Sequence, residues 1–172
     1  STADAHGRIM VVEVMGRTAG WIALYAGVAG GADVILLPEI GVDRKSVAQY
    51  IKERHTRRRY TIVVVAEGVG PGIPLGKDLE RLTGIEARTT VLGHLQRAGS
   101  PTPADRLLGT RYGRAAADLA VKGGWGRLVA IQRGVLTSVP IARVAGHTRQ
   151  VPLNHELLRV ARDVGTHLGI DR

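Results

Sequence analysis

Apolar positions come in two rhythms along this chain. Ile9–Val14 is a β-rich, unbroken run of the kind found in strands covered on both faces, and GRTAGWIALYAGVAGG follows with Trp21, Leu24, Tyr25 and Val28 at helical spacing. ADVILLPE reads as a second buried strand, and DRKSVAQYIKERHTRRR as a helix with Val47, Tyr50 and Ile51 on one stripe and basic residues in its last turns. YTIVVVAE is the third strand. A helix near Lys77 to Thr83 and a Thr- and Val-rich strand near Thr89 to Leu92 come next, after a stretch opened by Gly and Pro. PADRLLGTRYGRAAADLAVKGG is amphipathic through Leu108, Tyr112, Ala116 and Leu119, RLVAIQRG is a further strand, and NHELLRVARDVGTHLG closes the chain as a helix. Strands alternating with helices of these lengths imply right-handed crossovers, a parallel sheet and an α/β fold.

Composition narrows the function classes. With 172 residues, 44% of them hydrophobic, the chain can build a sizeable core. Lys plus Arg number 24 against 15 for Asp plus Glu, a net +9 that favours anionic partners such as phosphorylated metabolites or nucleic acid. Aromatic residues are only 3% and Phe is absent, so the stacking platforms of RNA and single-strand binders are nearly missing and no nucleic-acid partner is expected. The absence of Cys excludes disulfides, thiolate metal sites and a cysteine nucleophile. The longest apolar stretch, Trp21 to Ile40, carries Asp33, Glu39 and a Gly30-Gly31 break, so it reads as helix then strand and no membrane partner is expected. STADAHGR has neither a basic nor an apolar leader region and runs directly into the first strand, which suggests a missing upstream segment and agrees with a cytoplasmic location.

Ligands of doubly wound sheets lie beyond the carboxyl ends of the strands, here Met15-Gly16-Arg17 and Glu67-Gly68. Glycine after a strand lets backbone N–H groups approach an oxyanion, and a carboxylate there can accept hydrogen bonds from sugar hydroxyls. Arg88, His94 and Arg97 are close in sequence beside Gly93 and Gly99, which is the composition of a phosphate clamp.

RIMVVEVMGRTAGWIALYAGVAGGADVILLPE and RTTVLGHLQRAGSPTPADR resemble the two signature regions of the second half of 6-phosphofructokinases, from about Thr2 to at least Gly134. The resemblance implies an α/β parallel-sheet sandwich of the phosphofructokinase type, second half only. It implies transfer of a phosphoryl group to O1 of fructose 6-phosphate, giving fructose 1,6-bisphosphate in glycolysis, with Mg²⁺ and ATP as donor. Pyrophosphate remains open as the donor, because the residues that would decide lie in the other half. By position, Met15 and Gly16 match the strand-end pair beside the sugar, Glu67 the acid that binds its hydroxyls, and Arg88, His94 and Arg97 the groups holding sugar and 6-phosphate. Arg8 matches an arginine reaching into a neighbouring subunit's site, in a homo-oligomer expected to be tetrameric. Arg17 matches one that stabilises charge on the transferring group. Asp33 and the run Arg57, Arg58 and Arg59 fall where bacterial members place part of an allosteric effector site, although a solvated helix end is the favoured reading of the run. Thr18 replaces a usual histidine or aromatic, and Ala98 the usual first Gly after Gln-Arg.

The family's Gly-rich donor loop and Asp-rich catalytic turn are not found in this sequence. Asp4 and Asp105 are the nearest carboxylates to the signatures, and Asp105 reads as structural. The chain alone is therefore expected to be inactive, as a sugar-phosphate-binding fragment or module. The family's domain crossing implies that residues 1–95 and about 147–172 form the sugar domain, while 96–146 belong to the donor domain with part of its sheet unpaired. Poor stability of the isolated chain is the corresponding expectation.

Overall fold

The structure is a computed structural model that describes residues 7–170. It divides into two compact units, Ser1–Arg97 with Arg149–Arg172, and Ala98–Thr148.

In unit 1, β1 (Ile9–Val14), β2 (Val34–Leu36), β3 (Thr61–Ala66) and β4 (Ala87–Val91) form a fully parallel sheet in the order β2-β3-β1-β4. Helices α1 (Trp21–Ala29), α2 (Arg44–His55), α3 (Gly72–Thr83) and α5 (Glu156–Asp163) cover it. Alternation along the strands sorts the core into two layers. Ile9, Val11, Val63 and Val65 meet Val47 and Ile51 of α2 and Leu75 and Leu79 of α3 on one face. Val14, Ile35, Val64 and Ala66 meet Ala23 and Leu24 of α1 and Leu158 and Ala161 of α5 on the other. Burial on both faces is why the strands read as continuous apolar runs. After α5 the chain returns to the edge of the sheet, where His167 bridges Val34.

Two helix boundaries differ from the sequence reading. The helix expected near Lys77 begins at Gly72, because Glu13 reaches from β1 to accept the Gly72 N–H at 2.6 Å and so satisfies an orphan donor of the first turn. Helix α2 stops at His55, so Arg57, Arg58 and Arg59 lie beyond it in exposed turn rather than on its last turns.

Unit 2 holds α4 (Pro103–Val121) and an antiparallel hairpin of β5 (Arg127–Gln132) and β6 (Val135–Pro140). Helix α4 starts on a capping box in which Thr102 and Asp105 exchange hydrogen bonds, with Pro103 at the first turn. Strand β6 was not legible as a partner of β5. Its turn is made by Arg133 and Gly134, both with positive φ (51° and 80°), the geometry of a two-residue hairpin loop. No residue of α4 is buried, and Leu107, Val121 and Trp125 are among the most exposed large side chains. The unit boundaries fall two residues later than those read from the sequence, at 97/98 and 148/149.

Candidate functional site

The loop leaving β1 is held in an unusual shape. Gly16 has φ 149°, and a side chain there would meet the Ala19 carbonyl; Arg17 follows with φ 52°, one of two non-glycine residues with positive φ among those described. Such a conformation is sustained only where neighbours over-determine it. Here Glu67, the first residue after β3, accepts the N–H of Gly16 at 3.0 Å and of Arg17 at 2.6 Å through the same Oε1. Gly68 is equally constrained, because a Cβ on it would collide with the Arg17 carbonyl.

The Glu67 carboxyl is held below the usual carboxylate range, first by the Arg17 N–H, then by the Gly16 N–H, against a smaller opposing effect of burial. The charges of Arg17 and His94 lower it further. His94 and Arg97 lie on a 3₁₀ turn, Gly93–Arg97, brought to the end of β1 by the Leu92 N–H donating to the Glu13 carbonyl at 3.1 Å. Their side chains are exposed. The turn is also tied to the loop, since Gln96 Oε1 accepts the Met15 N–H at 2.7 Å. Met15, Gly16, Arg17, Glu67, His94 and Arg97 thus sit on three segments at the carboxyl edge of one parallel sheet.

Arg88 does not join them. It is the second residue of β4, in register with Met10, and therefore lies four residues, about 13 Å, back along the strand from the level of Val14. At that end its guanidinium pairs with Glu86 at 2.5 Å, and Arg8 pairs with the other oxygen of Glu86 at 2.6 Å. The Glu86 carboxyl is held below its ordinary range, chiefly by the Arg8 hydrogen bond. The expected convergence of Arg88 with His94 and Arg97 in a single chain is corrected accordingly. Closeness in sequence misled because a strand separates the two groups, and its rise carries them to opposite edges.

Asp33 is buried, with its side chain 2% exposed, and both oxygens are engaged internally. One pairs with Arg54 and the other accepts the Ile62 N–H at 2.8 Å. Arg57, Arg58 and Arg59 are exposed. Ala98 adopts no left-handed conformation, so alanine is sterically ordinary there. The Thr18 carbonyl accepts from Gln150 Nε2 at 3.0 Å. Asp105 is taken up by the Thr102 amide and hydroxyl at 2.9 and 2.7 Å, and its carboxyl is lowered chiefly by that hydroxyl. Asp4 lies outside the described residues. Among the described residues no three His, Asp or Glu side chains gather as a metal site. No described helix is long and apolar enough to cross a membrane.

Comparison with known proteins follows the same lines. The crystal structure of a pyrophosphate-dependent phosphofructokinase from Marinobacter aquaeolei superposes with a TM-score of 0.77 over 97% of this chain and 47% of its own, at 23% identity, which establishes a phosphofructokinase-type fold. The Phosphofructokinase family model matches residues 1–120. The chain belongs to the phosphofructokinase family. It is 43% identical to an ATP-dependent 6-phosphofructokinase of Spirochaeta thermophila, over 98% of this chain and 53% of that protein. It is 45% identical to one of Chloroflexus aurantiacus, over 98% and 52%. The chain spans about half the length of the curated relatives it matches.

Proposed function

We propose that this chain is the acceptor-binding half of a 6-phosphofructokinase, holding fructose 6-phosphate at the carboxyl edge of its parallel sheet. The observation that carries the reading is the double acceptance by Glu67 of the Gly16 and Arg17 amides beside His94. One Glu67 oxygen fixes the loop, and the other is left to accept from sugar hydroxyls. Met15 and Gly16 line the sugar, while His94 and Arg97 donate to it and to the 6-phosphate. Arg17, locked in a left-handed conformation and exposed, supplies fixed positive charge where a phosphoryl group would pass. Such preorganised charge is what phosphoryl transfer chiefly requires.

Arg88 and Arg8 share Glu86, so they act together. Arg8 resembles the arginine that reaches a neighbouring subunit's site, and Arg88 goes with it, so the phosphate clamp is completed between copies of this chain in a homo-oligomer. ATP is the donor of the whole enzyme, on the strength of relatives near 45% identity that are ATP-dependent. The pyrophosphate-dependent neighbour, at 23% identity, speaks only for the fold. The donor and the catalytic base belong to another half; Asp105, near the signature, is consumed by its helix cap. Unit 1 is the sugar domain, unit 2 a piece of the donor domain, and the chain alone is inactive. In the effector reading, Arg57, Arg58 and Arg59 form an exposed cationic cluster that takes an anion, with Asp33 bracing the adjacent Arg54 from inside.

Titration calorimetry of fructose 6-phosphate against the 172-residue chain tests the reading. Saturable binding that is lost in Arg97→Ala supports it, and absence of heat with the unmodified chain across millimolar sugar rejects it.

A further inference from the structure

The Met15–Gly20 loop is held almost entirely by side chains from distant parts of the chain. Besides the Glu67 contacts, Gln96 accepts the Met15 N–H at 2.7 Å. Glu39, just past β2, accepts the Gly20 N–H through both oxygens at 3.0 and 3.1 Å. Its Oε1 also accepts the Val151 N–H at 2.8 Å. Gln150 donates to the Thr18 carbonyl, and Trp21 Nε1, on the first residue of the following helix, donates to the Arg149 carbonyl at 2.7 Å.

These anchors are not spread at random. The chain leaves unit 1 after Arg97 and returns to it at Arg149. Gln96 is the residue before the departure point, and Arg149, Gln150 and Val151 are the first three after the return. Both crossing points are therefore fastened to one loop, and that loop carries the only strained non-glycine residue described in unit 1, Arg17.

We infer that Gln96 and Glu39 are positioning residues. They fasten the Arg17 loop to the two crossings of the chain, so that the conformation of Met15, Gly16 and Arg17 depends on how the chain departs from and returns to unit 1. Neither residue is among those assigned above to the sugar. Gln96 sets the start of the loop by fixing the Met15 amide, and Glu39 sets its end by bonding Gly20 and the returning Val151 at once. The role of this loop in sugar binding rests on the function proposed above; the fastening itself does not.

The test is amide hydrogen exchange, resolved by residue, on the full chain carrying Gln96→Met, Gln96→Glu, Glu39→Leu or Glu39→Gln, alongside fructose 6-phosphate titration. Gln96 is exposed, so its replacement should not disturb the core. Exchange should quicken about ten-fold or more at Gly16 and Arg17 in Gln96→Met, although their own acceptor, Glu67, is untouched. The acceptor-retaining Gln96→Glu should restore protection. Glu39→Leu should release Gly20 and Val151 together, and Glu39→Gln should release them less. The sugar dissociation constant should rise by about five-fold or more in Gln96→Met. A change confined to Met15, no rescue by the acceptor-retaining variants, or unaltered sugar affinity despite faster exchange would each overturn the inference. Should the unmodified chain bind no sugar, the functional proposal falls, and the exchange pattern alone then upholds or rejects the fastening.

Discussion

Glu67 Oε1 receives the N–H of Arg17 at 2.6 Å, and that short bond makes a carboxylate at the end of one strand responsible for the backbone shape at the end of its neighbour. An acid that sequence patterns assign to substrate is, in the folded chain, first a structural clamp.

This clamp has a pH signature. The Glu67 carboxyl titrates below its ordinary value near 4.5 when folded. It therefore stabilises the folded loop fully above that value and loses the contribution as pH falls through the depressed one. Protection of the Gly16 and Arg17 amides, corrected for intrinsic exchange, should be greater in the native chain than in Glu67→Gln at pH 6. The two should converge as pH falls through the depressed value; a gap that stays the same down to full protonation of the carboxyl would show that the charge plays no part.

Arg97 and Arg88 should separate experimentally. Loss of Arg97 removes a donor on the same edge as Glu67, so Arg97→Ala should weaken fructose 6-phosphate binding about ten-fold or more in any oligomeric state. Arg88→Ala should weaken it only where copies of the chain associate, so its effect should grow with protein concentration in titrations paired with sedimentation velocity. Equal effects at all concentrations would place Arg88 in the same chain's site.

Asp33 contributes to stability from inside the fold. Its side chain is buried and satisfies Arg54 and the Ile62 amide. Asp33→Ala should lower unfolding free energy by roughly 3 kcal/mol, read from the urea midpoint of unit 1, because a buried charge partner and a backbone donor are orphaned together. A loss below about 1 kcal/mol would mean that water replaces the carboxylate at little cost.

The two units should not unfold as one. Unit 1 has a two-sided core, whereas α4, β5 and β6 contain no buried residue. Amides within 98–148 should exchange orders of magnitude faster than those of β1 and β3, and the isolated chain should tend to associate through the exposed Leu107, Val121 and Trp125. A single sharp melt with uniform protection would contradict this.

Trp21 offers an optical reading of the chain's return to unit 1. Its ring lies 5.1 Å from the Arg149 guanidinium and edge-on to His155 at 5.2 Å. The only other tryptophan is Trp125. In a Trp125→Tyr background, Gln150→Ala should shift the Trp21 emission to longer wavelength as the Arg149 segment loosens, and an unchanged spectrum would count against that anchoring.

Much of unit 1 was legible because its strands are buried on both sides, so that Ile9–Val14, the run around Val34 to Leu36 and Thr61–Ala66 announce themselves without any partner. Glu67, Gly16 and Arg17 were legible because parallel sheets present ligands at strand ends. Gln96, Glu39 and Gln150 gave no such signal. A glutamine or glutamate that caps a backbone amide far along the chain has no local spacing to reveal it. Strand β6 was hidden because Val135–Pro140 is half-exposed and its turn needs Arg133 at positive φ, which composition does not forecast.

Apolar periodicity and the strand-end Gly and Glu residues determined the α/β class, the order of elements and which residues are candidates for binding a phosphorylated sugar, because these follow from local spacing and side-chain chemistry. Which of those groups share a site was decided only by tertiary structure. Strand register sets Arg88 beside Met10 and Glu86, away from His94, and through-space hydrogen bonds from Glu67, Gln96 and Glu39 shape the loop that no neighbouring residue could have fixed.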